Sequence, residues 1–150
     1  MNKISKFDRP ILGDNKPMEW VSDVSAEMLR KLGVKYVSLN PGASYRGFHD
    51  SLVNYLGNEE PQMLLCLHED HAVSIAHGYS KVADEMMGAI LHSNVGLMHG
   101  LMGIFNAWGD LAPILVMGAA GPGDAQLRRP WIAWIHTEQV ELRGGVGRVH

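Results

Sequence analysis

The sequence predicts an α/β domain, a three-layer doubly wound fold with a central parallel sheet of about five or six strands flanked by helices. Three observations lead there. Short runs that are apolar throughout alternate with longer segments of helical periodicity. Turn residues mark the joins. The 17 glycines gather at the ends of the apolar runs rather than in a repeat. Strands buried on both faces and joined through helices require right-handed βαβ crossovers, which give a parallel sheet covered above and below.

Residues 1–17 are polar with two prolines and read as an N-terminal arm; 18–140 read as the domain and 141–150 as an irregular tail. In the first helix Trp20, Val21, Val24, Met28, Leu29 and Leu32 recur at helical spacing, and Gly33 supplies the stop. Residues 34–39 are rich in β-branched types and read as a strand, closed by the turn Asn40-Pro41-Gly42-Ala43-Ser44. A helix over 45–56 and a strand over 62–68 follow, with Cys66 expected inside the strand. The helix over 70–83 sets Val73, Ala76, His77 and Val82 near one face, and 87–92 is again a strand. The helix over 97–108 rests on Leu97, Leu101, Ile104, Phe105 and Trp108. A further strand over 112–117 runs into Gly118-Ala119-Ala120-Gly121-Pro122-Gly123. That glycine spacing is neither a dinucleotide fingerprint nor a Walker loop, and Pro122 lacks an N–H, so it reads as a connection.

Composition narrows the function classes. A hydrophobic fraction of 46% is ample for one core. The net charge of -3, with Lys and Arg scattered, argues against nucleic acid or an anionic membrane as the main partner. No run approaches the ~20 apolar residues that span a bilayer, and the charged start lacks a signal-peptide apolar stretch. The single cysteine cannot form an internal disulfide, which makes the cytoplasm the expected location.

In a doubly wound sheet, ligands lie beyond the carboxyl ends of the strands. Those ends carry Asn40-Pro41-Gly42, His68-Glu69, His92-Ser93 and Gly118. Periodicity alone leaves two roles for Glu69: a reactive carboxylate, or an acid placed in a first helical turn by the macrodipole. His92 is either a proton carrier, since imidazole titrates near neutral pH, or a half-buried cap. The 40–44 turn either faces a ligand or is structural, proline fixing φ and glycine relieving the bend. His68-Glu69-Asp70-His71 is not the zinc-protease helix, because Ala72 stands where the second histidine is needed; no protein-held metal is expected. His71, His77 and His99 read as helix-surface or interface residues, and His49 and His136 are left unassigned.

Three stretches carry a family likeness. The first is Gly33-Val34-Lys35-Tyr36-Val37 leading into Asn40-Pro41-Gly42. The second is His68-Glu69-Asp70-His71-Ala72-Val73 continuing to Ala76-His77-Gly78-Tyr79. The third is Leu91-His92-Ser93-Asn94-Val95-Gly96, followed by Gly103 and Asn106-Ala107-Trp108. In order and spacing the chain resembles the N-terminal, pyrimidine-binding domain of thiamine-diphosphate enzymes of the acetolactate synthase and benzoylformate decarboxylase family. The third stretch is similar to benzoylformate decarboxylase in its Leu-His-Ser start and Asn-Ala-Trp end.

The resemblance implies thiamine diphosphate as cofactor, with Glu69, Pro41 and Gly42 contacting it. It implies that Glu69 activates the aminopyrimidine by sharing a proton with ring nitrogen N1′, a charge-assisted bond strengthened where water is excluded. It further implies that Asn40, Ala43, Ser44, His92 and Ser93 line the pocket of a small 2-oxoacid, and that His92 moves protons. The family member with aromatic specificity has serine directly after Pro-Gly; here Ala43 stands there and Ser44 comes one place later.

The same resemblance implies a diphosphate-binding domain or subunit that holds the diphosphate through Mg²⁺, and a homo-oligomer. A Gly-Asp-Gly run is absent from this sequence: Gly109-Asp110 and Gly123-Asp124 lack the second glycine. The chain by itself is therefore expected to be inactive, either as a fragment of a longer enzyme or as one subunit of a split decarboxylase of the sulfopyruvate or phosphonopyruvate type. The competing reading is a non-catalytic binding or assembly module of the same fold. A dinucleotide-binding domain is disfavoured, since the first strand ends in Asn-Pro-Gly and not in a glycine-rich phosphate turn.

Overall fold

A computed structural model describes residues 16–119. It contains strands β1 (Tyr36–Leu39), β2 (Gln62–Leu65), β3 (Met87–Leu91) and β4 (Ile114–Gly118), all parallel, in the order β2-β1-β3-β4. Helices α1 (Val21–Lys31), α2 (Arg46–Asp50), α3 (Glu69–Ala83) and α4 (Ser93–Gly109) alternate with them. The chain steps outward from β1 to β2, then crosses back past β1 to β3. The strand order thus reverses between β1 and β3, where Leu39 pairs with Ile90.

Side-chain alternation divides the core in two. Val37, Leu39 and Ile90 point to one face and pack with Ala26, Leu29, Phe48 and Leu52. Met87, Ala89 and Leu91 point to the other and pack with Val73, Ala76 and Leu97. This is the expected sheet between two helical layers, each fully buried Leu or Val contributing about 1.5–3 kcal/mol. Between Val37 and Leu39, Ser38 faces α3 and donates from Oγ to Ala72 O at 2.6 Å, so its buried hydroxyl is satisfied.

Four strands stand among the described residues, fewer than the five or six expected. The βα alternation between β1 and β4 has room for no more. Most of the proposed arm, the connection after Ala119, His136 and the 141–150 tail lie outside the described residues.

Several elements differ from the sequence reading in ways that have physical causes. Strand β3 is buried throughout, but β2 is an edge strand: Leu65 is 65% exposed and, just beyond it, Leu67 is 93% exposed. Cys66 is buried but lies past the end of β2. The 45–56 helix is broken into a 3₁₀ turn at Ala43–Tyr45, α2, and a π-helical turn at Ser51–Tyr55. A wider π turn keeps Phe48, Leu52 and Leu56, spaced by four, in line against the sheet, where a regular helix would rotate them progressively.

The apolar stripe of α1 is turned outward. Trp20, Val21, Val24, Met28 and Leu32 are exposed, while Asp23, Ala26, Glu27 and Leu29 are buried. In α4 the expected face is also displaced: Leu101, Phe105 and Trp108 are exposed, and Gly96, Leu97, Gly100, Gly103 and Ala107 are buried. Glycines let α4 approach α3 closely. A Cβ at Gly103 would stand 2.8 Å from Val73 Cγ1, and one at Gly100 3.0 Å from Val73 Cγ2. In α3 itself Val73 and Ala76 are buried as expected, whereas Val82 is 91% exposed.

Candidate functional site

Glu69 is the first residue of α3, not the last of a strand; Cys66, Leu67 and His68 separate it from β2. His68 caps the helix, its Nδ1 accepting the Asp70 N–H at 3.2 Å, which satisfies one of the unpaired donors of the first turn. The helix terminus explains why an acid is tolerated there. It does not explain its burial: Glu69 is only 4% exposed.

The carboxylate is held by groups far away in sequence. His99 of α4 places Nδ1 3.1 Å from Glu69 Oε2. Asn40, directly after β1, also hydrogen-bonds the Glu69 side chain. Burial by itself would raise the Glu69 carboxyl. The hydrogen bonds from His99, from its own backbone N–H and from Asn40, with the His99 charge behind them, outweigh burial and bring it below the ordinary glutamate value. Near neutral pH the site presents an ionised, largely desolvated carboxylate.

Across the switch point the 40–44 turn and His92 form one unit. Ser44 Oγ lies 2.5 Å from His92 Nδ1 and accepts the Ser93 N–H at 3.3 Å. With the serine hydroxyl donating to Nδ1, the neutral imidazole carries its proton on Nε2. Gly42 lies against the ring, since a Cβ there would fall 2.8 Å from His92 Cγ. Tyr45 meets His92 edge-on, with ring centroids 6.4 Å apart, and donates its hydroxyl to Asn40 O. Burial, and then the charge on Glu69, push the Tyr45 hydroxyl well above its ordinary value, so it stays a donor.

Gly96 joins the two halves. A Cβ at this position would stand 3.0 Å from Glu69 Oε1 and 3.1 Å from His92 Cβ. Glu69 and His92 therefore both pack directly on the Gly96 backbone, an approach that any side chain at this position would block. Of the residues singled out in the sequence, Glu69, His92, Asn40, Gly42 and Ser44 converge here. Ser93 is fully buried and serves the turn through its backbone N–H, while Pro41 and Ala43 are exposed on the rim. Two shallow depressions, of about 500 Å³ beside Cys66 and Ile75 and about 530 Å³ beside Trp20 and Asn54, include neither Glu69 nor His92.

Sequence reasoning missed His99 and the contact of Asn40 with Glu69. It also expected no cluster of metal-ligating groups, yet one atom each from His68, Glu69 and His99 lie within 4.8 Å of one another. Linear spacing could not show this, because α4 delivers His99 through space. The two rings stack at 4.5 Å with 25° between planes, an aromatic packing arrangement, and His68 Nδ1 is already occupied by the Asp70 N–H. One signal was available: His99 follows Gly96 by three residues and so shares its helix face. His77, expected on a helix surface, pairs through Nε2 with Asp110 Oδ2 at 2.9 Å.

A desolvated carboxylate and an imidazole, packed on either side of Gly96 at the switch point of a doubly wound sheet, lie where α/β domains of this class hold their ligands. The particular family follows from comparison with known proteins. The chain belongs to the thiamine pyrophosphate enzymes through their N-terminal TPP binding domain, which it matches over residues 19–141. Over 123 residues it is 30% identical to the acetolactate synthase large subunit of Lactococcus lactis subsp. lactis (strain IL1403), a stretch covering 81% of this chain and 19% of that protein. Over 132 residues it is 26% identical to benzoylformate decarboxylase of Pseudomonas aeruginosa, covering 79% of this chain and 24% of that one. The crystal structure of benzoylformate decarboxylase from Polynucleobacter necessarius superposes with a TM-score of 0.64 at 24% identity, covering 83% of this chain and 22% of the other. That last likeness is one of fold. The chain thus spans about a fifth to a quarter of the length of these relatives. Among the described residues no helix is long and apolar enough to cross a membrane.

Proposed function

We propose that this domain serves a 2-oxoacid decarboxylase or carboligase, a lyase or transferase, and that Glu69 activates the aminopyrimidine of thiamine diphosphate. The observation that carries the reading is the Glu69 carboxylate itself, buried at 4% exposure, gripped by His99 of α4 at 3.1 Å and held ionised. The donor set fits the group. A desolvated carboxylate can accept from a protonated ring nitrogen, and the bare Gly42 and Gly96 let His92 and Glu69 pack where any side chain would collide with them.

Thiamine diphosphate, when bound, supplies the nucleophilic carbon that adds to the substrate carbonyl and the electron sink for loss of CO₂. The chain's residues prepare that chemistry. The Glu69 carboxylate would hold the proton shared with pyrimidine N1′, in surroundings that exclude competing water. Ser44 fixes the His92 tautomer, so that Nε2 carries a transferable proton. Asn40 steadies Glu69 and, through its carbonyl, Tyr45. Gly42 supports the imidazole and Pro41 stiffens the turn, with Ala43, Ser44 and Ser93 completing the substrate side.

The diphosphate and its Mg²⁺ belong to a further domain or subunit, supplied by a longer polypeptide or by the partner of a split enzyme. In this reading the 150-residue chain alone is inactive, and the assembled enzyme is a homo-oligomer in the cytoplasm. The test is hydrogen–deuterium exchange at thiazolium C2 with the diphosphate-binding part present. Glu69→Gln should slow exchange by about 10²–10⁴-fold, the usual worth of a positioned acid–base group. Exchange at the unmodified rate would remove Glu69 from its role and leave a non-catalytic module of the same fold.

A further inference from the structure

We infer that His99, backed by His68, is a positioning residue that fixes the Glu69 carboxylate by holding Oε2 and leaving Oε1 to the pyrimidine. The inference rests on the function proposed above. It starts from two facts about α4. Gly96 and His99 lie three apart, on one helix face, and both meet the same carboxylate. Oε1 packs on the bare backbone of Gly96, where a Cβ would stand only 3.0 Å away, and His99 Nδ1 meets Oε2 at 3.1 Å. One turn of one helix therefore treats the two oxygens differently.

That asymmetry matters because a carboxylate on a flexible Glu side chain presents two equivalent oxygens and rotates about its terminal bond with a broad profile. A donor on one oxygen fixes the plane and leaves the other aimed. His99 is itself held. Its ring stacks on His68 at 4.5 Å, and His68 is anchored by the Asp70 N–H on Nδ1. Neutral His68 thus carries its proton on Nε2, while His99 must carry one on Nδ1 to donate. The Glu69 side chain is 5% exposed and that of His99 46%, so the donor reaches solvent while the acceptor does not. The titratable groups facing Glu69 are His99 on α4, His68 at the head of α3, His92 on the far side of Gly96, and Tyr45 across the turn, whose charge interaction with Glu69 is resolved. The depressed Glu69 value agrees with a donor on Oε2.

Two measurements on the 150-residue chain, made without cofactor, test the pairing. In long-range ¹H–¹⁵N spectra, neutral His99 should show the Nδ1–H tautomer; the Nε2–H tautomer overturns the inference. In ¹³C spectra of the Glu69 carboxyl, assigned through Glu69→Gln, His99→Ala should raise the titration midpoint by roughly one pH unit. His99→Asn, whose Nδ2 donor sits close to where Nδ1 was, should restore most of the shift. An unmoved midpoint in His99→Ala, with circular dichroism unchanged, also overturns it.

Neither readout involves the cofactor, so the pairing can hold or fail separately from the activating role of Glu69. With the diphosphate-binding part present, C2 exchange should fall about tenfold in His99→Ala and recover in His99→Asn, a smaller loss than for Glu69→Gln. Unmodified exchange in His99→Ala, despite a shifted midpoint, removes His99 from the proposed chemistry.

Discussion

Helices α1 and α3 each bury carboxylates, and they do so in opposite ways. In α1, Asp23 and Glu27 are both 5% exposed, and their main partners lie close by in sequence, with Ser51 adding one hydrogen bond to Asp23 from farther away. Asp23 Oδ2 accepts the N–H groups of Glu19 and Trp20, both at 3.0 Å, as an acid at the third helical position does in a capping box. Glu27 receives both Arg30 Nε at 2.8 Å and Arg30 Nη2 at 2.5 Å, one turn along the same helix. In α3, Glu69 takes its side-chain partners from the end of β1 and the middle of α4, and its Oε1 packs on the Gly96 backbone. The α1 acids chiefly close the start and first turns of their own helix, whereas Glu69 ties three elements together beside the candidate site. Burial alone does not separate them; the sequence distance to their main partners does.

The comparison is broken most directly by removing charge from each helix in turn. Glu27→Gln should leave C2 exchange in the assembled enzyme unchanged, against the loss of about 10²–10⁴-fold proposed for Glu69→Gln. A comparable loss from Glu27→Gln would mean that charge near the fold, not placement, matters. The packing on Gly96 can be crowded without substituting Glu69 or His92. Gly96→Ala sets a methyl 3.0 Å from Glu69 Oε1 and 3.1 Å from Glu69 Cγ and His92 Cβ, distances at which the carboxylate must move. We expect exchange to fall by about tenfold or more, a misplacement effect, with the urea midpoint little altered. Wild-type exchange in Gly96→Ala would show that the close packing of Oε1 on Gly96 does not set the position of the carboxylate. On the structural side, Asp23→Ala should cost about 0.5–2 kcal/mol, as loss of a helix cap does, read from urea unfolding, with the Glu69 titration unmoved.

Much of the frame was legible in the sequence. The alternation of apolar runs and helical segments located the four described strands and the edge of the sheet that carries the candidate site, because a parallel sheet forces its connections into that alternation. Glu69, His92 and the 40–44 turn were found for the same reason: they follow strands. Facing was less legible. In α1 the strongest apolar stripe, Trp20 to Leu32, points away from the described core, while a face carrying two acids is buried because Arg30 and backbone N–H groups satisfy them. In α4 small residues at 96, 100, 103 and 107 form the buried face, and periodicity weighted by hydrophobicity overlooks glycine. Contacts between elements were not legible at all. Nothing in the linear order announces that Ser44 meets His92, or that His99 meets Glu69, since both depend on how closely α3, α4 and the turn after β1 approach.

The smallest expected effect lies in the acid limb of stability, where the two helices should be separable by pH alone. Asp23, Glu27 and Glu69 all have carboxyls held below their ordinary values. In Asp23 burial is outweighed by Ser51 and the Glu19 and Trp20 N–H groups, in Glu27 the Arg30 hydrogen bond leads, and in Glu69 burial is outweighed by His99 and its other donors. A depressed carboxyl binds fewer protons in the folded chain than in the unfolded one. Its contribution is therefore fully present above the unfolded value, 3.8 for Asp and 4.5 for Glu, and is lost as pH falls through the depressed folded value. Stability should thus be level from neutrality to about pH 5 and decline below it. Glu69→Gln should flatten only part of the decline, and Asp23→Asn another part. Salt supplies the contrast: Arg30 is half exposed, so added salt should shrink the Glu27 share, while the Glu69 share persists because that carboxylate is buried. A decline in Glu69→Gln identical to that of the unmodified chain would mean that the His99 and Asn40 hydrogen bonds do no more for the folded carboxylate than water does for the unfolded one.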